Sequence, residues 1–532
     1  MAAIKLAVNR KVIVLVTISL LTLFVTGLQF VSQVKARADW QQKVDPWVLE
    51  ATVSELDAEF LVVLDEQADL SAVDTLPTKL AKGTYVYEQL TAVAQRTQPS
   101  LIEALKSLGS EHRPYWVSNA IWVRGDARVV EALARRADVA RIHANPRVKL
   151  DVVTSLNTHD SVKIATAVEW NIDHVGAPKV WASGVRGQGV IIGGQDTGYN
   201  WQHPALVRQY RGWNGSTADH NYNWHDAIHN DNLNTPPGNP CGYDSPQPCD
   251  DHGHGTHTMG TMVGDDGAGN QIGMAPNAQW IACRNMEQGW GTPATYAECY
   301  EWFIAPYPVG GDPMLDGDPA KAPHVINNSW GCPPAEGCNN PDILRTVVDN
   351  VRAAGIVTAN SAGNSGPSCG TILDPAAIYD ASFTVGATYA NDTIAGFSSR
   401  GPTWVGNNDP AKPDISAPGV GIRSSVPGGS YGTSSGTSMA APHVAGLVGL
   451  LLAARPDLVG NVDALEEVIK ESALPLFSTD GCGGDKSDTV PNYTYGWGRI
   501  DALAAYRLAK PEPQYLIYTP IWIEQQTEYN ED

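Results

Sequence analysis

Four well-separated segments of the chain each deliver one residue suited to acyl-transfer chemistry. Ser438 lies in Ser435-Gly436-Thr437-Ser438-Met439-Ala440-Ala441-Pro442-His443, just ahead of an Ala-rich apolar stretch that reads as a helix. A serine there sits among unpaired backbone N–H groups at the positive end of the helix dipole. That suits a nucleophile whose attack creates an oxyanion beside it. His254 lies in Asp250-Asp251-His252-Gly253-His254-Gly255-Thr256-His257, where the glycines let a ring approach another segment closely. Asp196 follows the apolar run Val190-Ile191-Ile192, as when a buried strand delivers a carboxylate to a sheet edge. Asn364 follows Ala362-Gly363 and offers an amide. Taken singly, these are a helix cap, a loop histidine, a strand-end turn and a polar turn. Taken together they are a nucleophile (Ser438), a base (His254), an acid that orients the base (Asp196) and an oxyanion donor (Asn364).

The elements that must position them form an alternating pattern. From about residue 165, β-branched apolar runs at 189–193, 279–283, 324–327, 355–359 and 382–387 alternate with helix-like segments. This predicts an α/β fold with a mostly parallel sheet and helices on both faces. Such sheets place sites at the carboxyl ends of strands, where Asp196, Asn327 and Asn364 fall. Residues 39–150 read as a separate small α+β unit of the ferredoxin-like kind. It has strands at 59–64, 116–124 and 139–144, a long helix at 85–108 with Pro99 inside it, and a helix at 127–136. Residues 214–250 and 306–323 read as loop insertions, and 511–532 as an acidic tail.

The motifs Asp-Thr-Gly, His-Gly-Thr-His, Ala-Gly-Asn and Gly-Thr-Ser-Met-Ala-Ala-Pro-His, in that order, resemble the subtilisin-like serine peptidases, or subtilases. The resemblance spans roughly 165–508 and looks nearest to bacillopeptidase F-like members. It implies a secreted serine endopeptidase over 151–510, working through Asp196, His254 and Ser438 with Asn364 in the oxyanion hole. It also implies that 39–150 is a propeptide, a folding chaperone and inhibitor removed by self-cleavage between about Arg147 and Lys163. By the same resemblance, Ser329-Trp330-Gly331 is a rail that pairs with an extended substrate peptide. Trp330 is expected to narrow the primary pocket. Uncharged Ser365 suggests an apolar or mixed preference there.

Composition sets the bounds. The chain has 532 residues, 43% apolar and 17% charged, with a net charge of −21. That balance excludes phosphate-backbone recognition, so the expected partners are protein or peptide substrate and the propeptide itself, with the chain a monomer. Lys5, Arg10 and Lys11 precede an uncharged run at 12–28, followed by Ala36-Arg37-Ala38. Residues 1–38 therefore read as an export signal, with a retained anchor as the alternative. All eight cysteines lie between Cys241 and Cys482, and an exported chain would oxidise them. Short loops favour Cys241–Cys249 and Cys332–Cys338, leaving Cys283–Cys299 and Cys369–Cys482.

No cofactor is needed for this chemistry. Asp312, Asp316 and Asp318 have the hard oxygens that suit a structural calcium, but they complete no loop motif and read as a solvated acidic loop. His252, His254 and His257 lack the helical His-Glu-x-x-His spacing of a zinc site. His257, His443 and Asp414 read as structural. The rival functions are a maturation peptidase dedicated to one partner protein and a non-catalytic peptide-binding module. A substituted triad residue would mark the latter, and none is substituted.

Overall fold

The computed structural model describes residues 39–54, 57–153, 167–230, 238–403 and 411–510. The expected export segment and acidic tail lie outside these residues. The first unit contains β1 (Ala58–Leu64), α1 (Lys79–Leu108), β2 (Glu111–Tyr115), β3 (Ala120–Gly125), α2 (Ala127–Ala134) and β4 (Val139–Ala144). Its four strands form an antiparallel sheet in the order β2-β3-β1-β4. The sequence pattern suggested one strand over 116–124. Instead a hairpin turns there: Asn119 adopts a positive φ of 43°, and the chain pairs again from Ala120. Helix α1 begins earlier than expected, capped by Thr78, whose hydroxyl accepts from Ala81 N at 3.1 Å. It runs through Pro99, whose ring faces solvent.

The larger unit is built on seven strands: β5 (Ile191–Asp196), β6 (Trp224–Asp226), β7 (Gln279–Arg284), β8 (Val325–Asn328), β9 (Val357–Ser361), β10 (Phe383–Thr388) and β11 (Ile415–Pro418). All pair in parallel, in the order β11-β10-β9-β8-β5-β7-β6. β6 was hidden in a stretch that reads as loop, because a three-residue edge strand carries too little pattern to be seen. Helices α3 (His254–Val263) and α6 (Thr437–Ala454) cover one face, and α4 (Pro293–Ile304) and α5 (Arg345–Ala353) the other. Along β7, Trp280 and Ala282 join the core under α3 and α6, while Ile281 and Cys283 join the core under α4 and α5. Both faces are thus buried, which is why these strands read as unbroken apolar runs.

Helix α6 is the one helix among the described residues that is long and apolar enough to cross a membrane, and 89% of it is buried inside the molecule. It is the central core helix. The eight cysteines pair as expected: Cys241–Cys249, Cys283–Cys299, Cys332–Cys338 and Cys369–Cys482.

The first unit docks on α4. Glu301 Oε2 accepts from Trp116 N at 2.6 Å and Val117 N at 2.9 Å, and Tyr115 donates its hydroxyl to Glu298 Oε2 at 3.1 Å. Trp116 is fully buried in the shared core. Removing the Glu301 carboxylate leaves two buried amides without acceptors, at about 1–3 kcal/mol each. Glu301→Ala should therefore weaken the hold of the first unit roughly 100-fold, read as faster loss of that unit on size-exclusion chromatography once the segment linking the two units is nicked with an added protease. Unchanged retention would show that these two bonds contribute nothing.

Candidate active site

The site forms at the carboxyl ends of β5, β8 and β9 and at the N-termini of α3 and α6. Asp196 is the last residue of β5 and is fully buried. Its Oδ1 and Oδ2 lie 2.7 and 2.9 Å from His254 Nδ1. A carboxylate only accepts, so Nδ1 carries the proton and Nε2 is left free to act as a base. Oδ1 also accepts from Thr197 N at 2.7 Å and Oδ2 from the Thr258 hydroxyl at 3.3 Å, which fixes the carboxylate plane.

His254 opens α3, and the loop before it is tied by Asp250. The Asp250 carboxylate accepts from Gly253 N at 2.7 Å, Thr256 N at 3.0 Å and the Thr197 hydroxyl at 2.9 Å. It caps α3 and joins the histidine loop to the aspartate turn in one contact. Gly255 follows His254 because there is no room for a side chain: a Cβ would stand 2.2 Å from Gly198 O. The adjacent Asp251 pairs with the buried Arg284 at 2.6 Å, and burial pushes its carboxyl up to about 6.

Ser438 lies in the first turn of α6 and is buried, its hydroxyl donating to Ser329 O at 3.2 Å. Pro442 explains a reciprocal contact. It has no N–H, so the Ser438 carbonyl loses its normal partner four residues on. That carbonyl accepts instead from the Ser329 hydroxyl at 3.0 Å, which ties the start of α6 to the end of β8.

Asn364 lies three residues beyond β9. Its side-chain oxygen accepts from Thr437 N at 2.9 Å and the Thr437 hydroxyl at 3.0 Å, which turns the amide NH₂ into the cleft. There Nδ2 donates to the backbone carbonyl of Asp151 at 3.0 Å.

That contact ends a peptide lying in the cleft. Val148–Lys149 pairs antiparallel with Trp290–Gly291, and Leu150 N donates to Gly289 O at 2.8 Å. Ser329, Trp330 and Gly331 line the same cleft, together with Asn364, Ser365, His254 and Ser438. The backbone rail that the peptide uses is Gly289–Gly291, which sequence reasoning did not single out, since main-chain donors carry no residue signature. Trp330 is buried, stacked on Tyr296 with ring centres 3.8 Å apart, so most of its bulk packs on α4 and does not fill the cleft.

The other polar residues take structural places. His257 Nε2 contacts Ile422 O at 3.0 Å, and burial pushes its ring down to about 3. His443 contacts Met439 O at 3.0 Å and Asn171 at 2.8 Å. Asp414 is held by Lys412 at 2.6 Å and Thr384 N at 2.7 Å. Asp312, Asp316 and Asp318 each accept a local backbone N–H, and no metal-holding group of three or more His, Cys, Asp or Glu occurs among the described residues.

Residues 187–498, more than half of the chain, match the profile described as the Subtilase family. Bacillopeptidase F of Bacillus subtilis (strain 168) is 36% identical over 460 residues, covering 83% of this chain and 30% of that protein. Serine protease AprX of the same organism is 36% identical over 288 residues, 48% of this chain and 58% of its own length. Subtilisin Savinase of Lederbergia lenta is 31% identical over 344 residues, 64% of this chain and all of that protein. The chain thus spans under a third of bacillopeptidase F and little more than half of AprX. A profile that covers the sheet, the histidine loop and the serine helix leaves one assignment: the chain belongs to the subtilase family.

Proposed function

We propose that the chain is a serine endopeptidase, exported as a precursor, that cuts itself between Asp151 and Val152. The observation that carries this reading is the Asp151 carbonyl held by Asn364 Nδ2 at 3.0 Å, beside Ser438 and the Asp196–His254 pair. The Ser438 hydroxyl turns from Ser329 O toward His254 Nε2 and attacks the peptide carbonyl. His254 takes the proton and returns it to the leaving amine, while Asp196 keeps the ring oriented and stabilises its charged form. Asn364 Nδ2 and the Ser438 N–H receive the oxyanion. Water then releases the acyl group. These side chains do the chemistry without a cofactor.

On this reading residues 39–151 are the propeptide, and their end stays in the cleft as an inhibitor until released. Four disulfides suit an exported enzyme. The substrates are proteins, bound as an added strand along Gly289–Gly291.

The test is the mature N-terminus. Purified chain that has acquired casein-degrading activity should begin at Val152, and a mature start outside 148–154 would contradict the reading. Asn364→Leu should fold and keep KM nearly unchanged, yet lose about 3 kcal/mol of transition-state stabilisation, on the order of 100-fold or more in turnover. Near-normal turnover, or a defect in KM alone, would show that Asn364 does not hold the oxyanion.

A further inference from the structure

The cleft beside Ser438 contains a carboxyl group that the hydrolytic steps do not use. Asp374 lines the cleft with Ser329, Gly331, Gly363 and Asn364. Its carboxyl lies between two backbone walls. A Cβ on Gly331 would stand 2.6 Å from its Oδ1, and a Cβ on Gly363 2.8 Å from its Oδ2. Gly331 and Gly363 flank, in sequence, the two segments that carry Ser329 and Asn364. The carboxyl thus lies in the same cleft as Asp151, whose carbonyl Asn364 holds, and is near enough for the Asp151 charge to act on it. Its edge is open to the cleft.

Among the described residues, its surroundings give it no counter-charge. Cys332 donates one backbone hydrogen bond to it, while Asp151 and Glu336 act on it as like charges. No cation is among the groups that shift it, and burial with those acids pushes the carboxyl up to about 7. A carboxylate desolvated in this way gains most from an occupant that brings a positive charge. An apolar occupant would bury it without a partner, which costs free energy.

We propose, building on the peptidase reading above, that Asp374 is a specificity-determining residue that selects lysine or arginine immediately before the cut bond. The residue that the chain itself presents there is Asp151, an acid facing an acid. The chain's own end is thus a poor occupant once cut, which favours its departure from the cleft and its replacement by cationic substrates. The first cut tolerates the mismatch because the peptide is tethered, so its local concentration is high.

The test uses the full chain after it has matured, with active sites counted by a phosphonylating reagent. Absence of titratable sites would count against the peptidase reading, and only titrated enzyme bears on Asp374. Peptides differing solely in the residue before the cut (Lys, Arg, Leu or Asp) are compared by kcat/KM at pH 8. Lysine and arginine should exceed leucine by at least ~30-fold, with aspartate poorest. Asp374→Asn should lower the lysine-to-leucine ratio by a similar factor.

Should that variant fail to fold, the wild-type ratio measured from pH 5.5 to 8.5 serves instead. Burial holds the Asp374 carboxyl above the ordinary carboxylate range, at about 7 with Asp151 in the cleft, so its charged form grows as pH rises and the ratio should rise with it. His254 acts on both substrates alike and cancels. Burial, the largest cause, and Glu336 both remain after Asp151 leaves and hold the carboxyl above the ordinary carboxylate range. A ratio near one at every pH, a preference for leucine, or a preference for aspartate at low pH by proton sharing would each overturn the proposal.

Discussion

Ser438→Ala is expected to remain a single uncut chain carrying residues 39–151, with hydrolytic activity reduced on the order of a million-fold. The hydroxyl is the only part removed. The alanine keeps the helix position, and the Ser438 carbonyl still receives the Ser329 hydroxyl because that contact depends on Pro442. Folding should therefore survive, and the docked first unit with its bonds to Glu301 should stay in place. Intact mass spectrometry of the variant, made without other proteases, checks this. A product beginning at Val152 from that variant would mean that the cut is made by something other than Ser438.

Asp196→Asn is expected to lower turnover about 10,000-fold while leaving the fold and substrate binding nearly intact. Asp196 is fully buried and makes two short contacts to His254 Nδ1. An amide of the same size can present its NH₂ to that nitrogen. The ring then carries its proton on Nε2 and has no lone pair for the Ser438 hydroxyl. The measurement is kcat and KM on one peptide, beside circular dichroism to establish the fold. A loss confined to KM, or one of less than about tenfold, would contradict the role given to Asp196.

Much of the candidate site is legible in the sequence because each residue proposed for it sits at or just beyond the end of a regular element. Asp196 closes β5, Asn364 follows β9, and Ser438 and His254 open α6 and α3. Apolar periodicity fixes the strands, and the short polar motifs mark their ends. Five strands of the seven-stranded parallel sheet follow from the same runs; the three-residue β6 and the four-residue β11 at the two edges do not. The hairpin at Trp116–Asn119 was missed because tryptophan and valine continue a strand pattern through the turn, while the positive φ of Asn119 breaks it.

Other parts are legible only in three dimensions. Asp250 is one acid among several in a loop, and its role as cap and tie appears once α3 and the Asp196 turn meet. The Gly289–Gly291 rail uses main-chain groups common to every residue. Asp374 lies in a segment without periodicity. It enters the cleft because glycines at 331 and 363 leave room for its carboxyl. Ser365, next after Asn364 in sequence, suggested an uncharged pocket, whereas the acid proposed to face the substrate, Asp374, stands nine residues beyond it and lines the same cleft.

The central claim is that Ser438 is the nucleophile, activated by His254 and Asp196. It is tested most directly by treating the matured chain with a phosphonofluoridate reagent and mapping the modified peptide. The account predicts one adduct per molecule, on Ser438, with activity lost in proportion to labelling and unaffected by a zinc chelator. Full activity after complete reaction, or an adduct on another residue that accounts for the inhibition, would contradict it.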